Sequence, residues 1–159
     1  MMNILVLCTG NSARSILLES ILNIFGAGRV HAWSAGSKPT GKVHPQSLKL
    51  LGDLRHDISS ARSKSWDEFA TDSAPVMDLV ITVCGSAAGE TCPVWPGTPM
   101  RAHWGVDDPA AADSANWDSA FATAYQQLER CARALLAVDF ETMERDALQS
   151  ALNRIGQNL

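Results

Sequence analysis

The sequence predicts an α/β protein built on a parallel sheet covered on both faces, and three observations predict it. Short, continuously apolar runs, "NILVLC" at 3–8 and "DLVITVC" at 78–84, have the pattern of strands buried on both sides. Other stretches carry apolar residues at helical spacing, such as Ile16, Leu17, Leu18, Ile21, Leu22 and Phe25. The two kinds of segment alternate along the chain, which is the order of a parallel sheet with crossover helices. No internal repeat, low-complexity segment or linker interrupts the 159 residues, so 1–159 reads as one domain, long enough to bury a core without disulfides or metal.

The first strand is "NILVLC", and the first helix runs over 14–25, stopped by "GAG" at 26–28. "RVHAWSA" (29–35) is the second strand, "GSKPTGKVHP" (36–45) a loop and "QSLKLLGDL" (46–54) the second helix. "SKSWDEFA" (63–70) is a short helix or turn. "DLVITVC" repeats the design of the first strand, again ending in Cys, and "MRAHWGV" (100–106) is a weaker fourth strand. Trp117, Phe121, Ala124, Leu128, Cys131, Leu135 and Leu136 trace one face of a helix over 116–137. A last helix is expected over 139–155, with Phe140, Met143, Leu148, Leu152 and Ile155 apolar.

A net charge of −4 gives no basic footprint, so a nucleic-acid partner is not expected. No apolar run approaches the ~20 residues of a membrane span. "NILVLC" is too short for the apolar region of a signal peptide and no Lys or Arg precedes it, so a cytoplasmic location is the expectation. There the cysteines at 8, 84, 92 and 131 are expected as free thiols that bind metal, do redox chemistry or fill the core.

Parallel sheets bind ligands beyond the carboxyl ends of their strands. Cys8 and Cys84 both end predicted strands, so one crevice can hold both. In "NILVLCTGNSARS" a strand passes through a tight loop into a helix, which aims backbone N–H groups and the helix N-terminus at one point. Thr9, Gly10, Asn11, Ser12, Ala13 and Arg14 thus form a candidate oxyanion cradle. Gly10 lets the backbone bend, Asn11 tolerates a left-handed conformation, and Arg14 can grip two oxygens of a tetrahedral anion. The same field is expected to depress the pKa of Cys8, with the Ser15 hydroxyl placed to hydrogen-bond its sulfur.

"CTGNSARS" resembles the phosphate-binding loop of the low-molecular-weight tyrosine phosphatase family, most closely its arsenate reductase branch. "WSAGS" (33–37), "VITVCGSAAGETCP" (81–93) and "AHWGVDDPA" (102–110) extend the resemblance over essentially the whole chain in the right order. It implies a four-stranded parallel sheet in a three-layer α/β/α sandwich. It also implies that Cys8 is the nucleophile and that Cys84 and Cys92 accept its oxidation in turn. Two thiols becoming one disulfide supply the two electrons that arsenate reduction needs. The seven residues between Cys84 and Cys92 are one more than is usual in that branch.

In "DDP" (107–109) the resemblance places a general acid on Asp108, the residue directly before Pro109, with Asp107 as the fallback. Cys131 lies on the apolar helix face and is expected to be core. Zinc on Cys84, Cys92 and His103 lacks the tight Cys pair of structural sites, and His31, His44 and His56 show no metal spacing, so no metal is expected. "GSKPTGKV" (36–43) fits Gly-x4-Gly-Lys, but Val43 stands where a magnesium-binding Ser or Thr belongs. Some relatives hold potassium through an Asn, a Ser and an Asp; Asn11 and Ser34 match, but Ser65 takes the Asp position, so no potassium and no cofactor is expected.

The expected reaction is conversion of arsenate to arsenite through a Cys8 adduct and a Cys8–Cys84–Cys92 relay, with phosphate or sulfate as competing oxyanions. Re-reduction falls to thioredoxin or to glutathione with glutaredoxin. The alternative is a phosphatase working through a Cys8 phosphocysteine, and a third class is a non-enzymatic oxyanion or redox sensor. "DPAAADS" carries no aromatic residue before Trp117 with which to sandwich a phenyl ring, which favours a small substrate.

Overall fold

The computed structural model describes residues 1–85 and 95–159. Four parallel strands, β1 (Met2–Leu7), β2 (Val30–Ala35), β3 (Leu79–Thr82) and β4 (Met100–His103), form one sheet in the order β2-β1-β3-β4. Leu7 is in register with Ala35 on one side and Thr82 on the other, so the ends of β1 and β3 lie together. The order changes direction at β1, and the two strands that border this switch point lead into Cys8 and Cys84.

The apolar runs of the sequence are the centre of the molecule. Ile4, Leu5, Val6 and Leu7 are all fully buried, each large aliphatic side chain contributing about 1.5–3 kcal/mol relative to exposure. One face of the sheet is covered by helices: α1 (Arg14–Phe25), α2 (Pro45–Asp53), α3 (Trp117–Leu136) and α4 (Arg145–Gln157). Leu17, Leu18, Ile21, Phe121, Leu128 and Leu152 pack there against Ile4, Val6 and Ile81. The other face carries Leu5, Leu7, Ala35 and Val80 under Phe69, Met77 and Trp95, with the 3₁₀ turn Trp66–Phe69 closing that layer. The sequence reads 63–70 as a short helix or turn, and a single turn is what forms.

β2 is an edge strand, and its outer hydrogen-bonding groups are not left open. Asn23 of α1 takes both the N–H (2.8 Å) and the C=O (3.0 Å) of Ala32. One turn earlier, Glu19 accepts from the Ser34 hydroxyl at 2.9 Å and from the Ser34 N–H. Beyond the strand, Gly36 N–H donates to Lys64 O (2.9 Å) and Gly36 O accepts from Trp66 N–H (3.0 Å). Side chains of one helix thus block an edge that would otherwise invite pairing with another chain.

Two expected boundaries move. The last helix starts at Arg145 rather than 139: Asp139 O closes a turn on Thr142 and Met143 N–H, and Glu144 is extended. Phe140 is buried in that turn beneath the Arg29 guanidinium, 4.5 Å from its ring. β4 ends at His103, after which Trp104 is fully buried and its indole N–H reaches Leu152 O at 3.2 Å.

Candidate active site

Residues 8–13 leave β1 and turn back into α1, and the loop is held from outside by its carbonyls. Thr9 O accepts from Lys38 N–H and Gly10 O from Thr40 N–H, both at 3.0 Å. Ser63 Oγ adds a second donor to Gly10 O at 3.2 Å. Ser12 O accepts from His44 N–H and Ser47 Oγ, each at 3.0 Å. A trans peptide points its N–H opposite its C=O, so the amides of Gly10, Asn11 and Ala13 face the concave side. α1 follows with no side-chain cap on Ala13, leaving its first-turn N–H groups directed at the same concavity. That is an anion-receiving geometry.

The stretch 36–43, which imitates a nucleotide loop in sequence, is a strut: its Lys38 and Thr40 amides are spent on the Cys8 loop. Gly36 is the residue that sequence reading missed. A Cβ there would stand 2.4 Å from Thr9 O and 2.8 Å from Cys8 O, so only glycine admits the loop. Its signal was the "WSAGS" stretch. The left-handed turn belongs to Asn11 alone (φ 47°), and Gly10 needs no positive φ.

Asn11 is fully buried and ties the loop together. Its Nδ2 donates to Ser15 Oγ at 2.9 Å, and its Oδ1 accepts from Lys64 N–H at 2.9 Å. The Ser15 oxygen, expected against the Cys8 sulfur, accepts from Asn11, which leaves its own O–H to donate. Arg14 opens α1 with its Nη1 donating to Val106 O at 2.9 Å and its Nη2 3.8 Å from Asp108 Oδ2. Its Nε is buried and has no hydrogen-bond partner among the described residues. Asp108 spends Oδ1 on Ala110 N–H at 3.0 Å and keeps Oδ2 toward Arg14, half-exposed at the rim. Asp107 is exposed.

Cys8 and Cys84 are both buried, 6% and 4% exposed, and follow the ends of neighbouring strands that are in register at Leu7 and Thr82. Thr9 Oγ1 lies 3.7 Å from Cys84 Sγ. The neighbouring Cys84 thiol and burial push the Cys8 pKa up, while Arg14 and the Gly10 N–H pull it down. Beside the Cys84 thiol the direction is upward, against the expected depression, with that thiol the first cause and burial the second. Cys92 lies outside the described residues. Cys131 is 3% exposed in the helical core and burial pushes its thiol up to about 11, as a packing residue requires.

Among the described residues no cluster of three His, Cys, Asp or Glu side chains is placed to hold a metal ion. His103 is engaged through Nδ1 with Thr82 Oγ1 at 2.8 Å. The residues matching a potassium site do not fit one. Ser65 Oγ caps the 3₁₀ turn by accepting from Asp67 N–H, Ser34 Oγ donates to Glu19, and both ends of the Asn11 amide are committed. Buried Lys64 already brings positive charge there. No helix among the described residues is long and apolar enough to cross a membrane.

Residues 3–149 match the family model of the low molecular weight phosphotyrosine protein phosphatases. The chain is 39% identical over 107 residues to an arsenate reductase of Halalkalibacterium halodurans, covering 67% of this chain and 73% of that one. It is also 39% identical over 106 residues to an arsenate reductase of Bacillus subtilis, with the same two coverages. A solved arsenate reductase in the phosphate-binding state superimposes with a TM-score of 0.65 at 25% identity, over 84% of this chain and 98% of that one. The low molecular weight protein tyrosine phosphatase of T. tengcongensis shares the fold, with a TM-score of 0.63 at 22% identity over 81% and 96% of the two chains.

Proposed function

The chain belongs to the low molecular weight phosphotyrosine protein phosphatase family of enzymes, and we propose that its reaction is the thiol-dependent reduction of arsenate to arsenite. The second buried thiol, Cys84, placed next to Cys8 by the neighbouring strand, carries this reading. A phosphatase needs one nucleophile; a second thiol beside it suits a reaction that ends in a disulfide.

The loop amides from Gly10 to Ala13, the N-terminus of α1 and the Arg14 guanidinium bind the oxyanion. Thr9 and Ser12 hold the loop in shape. Cys8 sulfur attacks arsenic(V) and forms an As–S bond while one arsenate oxygen leaves, protonated by Asp108 from the rim. Cys84 sulfur then attacks Cys8 sulfur. The S–S bond forms, the As–S bond breaks, and its electron pair stays on arsenic, which departs as arsenite. Two sulfurs are each oxidised by one electron and arsenic is reduced by two. Cys92 sulfur attacks Cys84, frees Cys8 and moves the disulfide outward, where an external thiol system, thioredoxin or glutathione with glutaredoxin, reduces it. Ser15 acts through Asn11, as a positioning residue.

The three alanines Ala110–Ala112 beside Asp108 offer a substrate no aromatic face, which supports a small oxyanion over a phosphotyrosyl peptide. Hydrolysis of small phosphate esters uses the same Cys8, Arg14 and Asp108 and is expected as a slow side activity. Turnover of arsenate by the purified protein with each reductant system in parallel tests the reading. Arsenite formation with at least one supports it, and brisk aryl phosphate hydrolysis without arsenite formation overturns it.

A further inference from the structure

A cavity of about 570 Å³ lies between α1, the edge of β2 and the 57–68 segment. Among its lining residues are Glu19, Arg62, Lys64 and Glu68. Arg62 is committed to Glu68 through two hydrogen bonds, at 2.6 and 3.0 Å. Lys64 is different. It is only 7% exposed, and its ammonium donates to Arg62 O at 3.2 Å. A buried ammonium is costly unless something requires it. Lys64 and Glu19 line the same cavity; burial pushes the Lys64 pKa down and the Glu19 pKa up, and each is opposed first by the other's charge.

Both partners reach the active loop. Glu19 fixes Ser34 through its hydroxyl and its N–H, two residues before the obligatory Gly36. The Lys64 main chain accepts from Gly36 N–H and donates to Asn11 Oδ1, and Ser63 next to it holds Gly10 O. The segment is thus clamped between the end of β2 and the loop, and its one buried charge faces a cavity that also contains a carboxylate.

We infer that the Lys64 ammonium is the resident cation of this cavity: it balances Glu19 and positions the anion loop, so the protein needs no potassium here, and a chain lacking the ammonium takes up a monovalent cation in its place. Lys64 is a positioning residue; it touches no reacting atom.

The test compares wild type with Lys64→Met, which keeps length and removes charge, in potassium chloride and in choline chloride at equal ionic strength. Two quantities are read: thermal unfolding, and affinity for inorganic phosphate by calorimetry. Wild type is expected to behave alike in both salts. Lys64→Met is expected to bind phosphate roughly tenfold more weakly in choline, to recover most of that in potassium, and to unfold at higher temperature in potassium than in choline. A wild type that gains affinity or stability from potassium overturns the inference. So does a variant weakened equally in both salts, or not weakened. If Lys64→Met does not fold in either salt, Glu19→Gln/Lys64→Met removes both charges together. Folding and salt-independent phosphate binding by that variant support charge balance, and its failure to fold overturns it. Neither readout needs arsenate to be reduced. Absence of phosphate binding in wild type counts against the anion loop, while unfolding in the two salts still decides the role of Lys64.

Discussion

Cys8 and Cys84 lie next to each other although each follows a different strand, because β1 and β3 are neighbours in the sheet and end in register at Leu7 and Thr82. The neighbouring Cys84 thiol and burial raise the Cys8 pKa against the pull of Arg14 and the Gly10 N–H. Removing the second sulfur leaves only burial to oppose that pull. In Cys84→Ala the midpoint of Cys8 alkylation against pH is expected to fall by about one unit or more relative to wild type. An unchanged midpoint means that Cys84 does not set the acidity of Cys8.

Arg14 donates to Val106 O through Nη1, while its buried Nε has no partner among the described residues and its Nη2 lies 3.8 Å from Asp108. Arg14→Lys keeps a charge but not the planar fork. Arsenate turnover is expected to drop by about two to three orders of magnitude in kcat/KM, as when a donor to a transition-state oxyanion is lost. Near-normal kcat/KM in that variant would place the oxyanion elsewhere.

Gly36→Ala forces a methyl against Thr9 O and Cys8 O, both main-chain atoms of the loop that cannot swing aside. The expected cost is about 1–3 kcal/mol in urea unfolding, together with loss of phosphate affinity. Gly52→Ala, where the nearest atom is Ile58 Cδ1 at 4.0 Å, serves as the control and is expected to show neither loss.

His56 is buried between α1 and α3, its Nδ1 2.7 Å from Ser20 Oγ and its Nε2 2.9 Å from Tyr125 Oη. Burial lowers its pKa, with Glu129 partly opposing. The unfolded chain therefore binds a proton that the folded one refuses. This contribution to stability is complete above the unfolded value of about 6.5 and is lost as pH falls below it. Urea midpoints measured from pH 7.5 down to 5.5 are expected to decline more steeply in wild type than in His56→Gln. Parallel declines would remove His56 from the account.

Much of this was legible in the residues themselves. Continuous apolar runs announced β1 and β3 because both faces of a parallel sheet are covered, and "CTGNSARS" announced the anion loop because its chemistry is local. What escaped depends on tertiary neighbours. Ser15 is adjacent in sequence to Arg14, but its partner was decided by the buried turn at Asn11. Cys8 read alone suggests an acidic thiol; Cys84, brought in by strand order, reverses the direction. Phe140 and Met143 carry helical spacing, yet Asp139 and Glu144 make the segment a turn under Arg29. Lys64 gave no signal, since nothing near it in sequence marks a buried ammonium.

The order in which the three thiols act is visible in a single variant. Cys92→Ser, mixed with arsenate in the absence of small thiols, is expected to form about one equivalent of arsenite per chain and stop. Mass spectrometry of the digested protein is then expected to find a Cys8–Cys84 disulfide, with Cys131 still reduced. Arsenite release without that disulfide, or no arsenite from a folded variant that binds phosphate normally, would contradict the account.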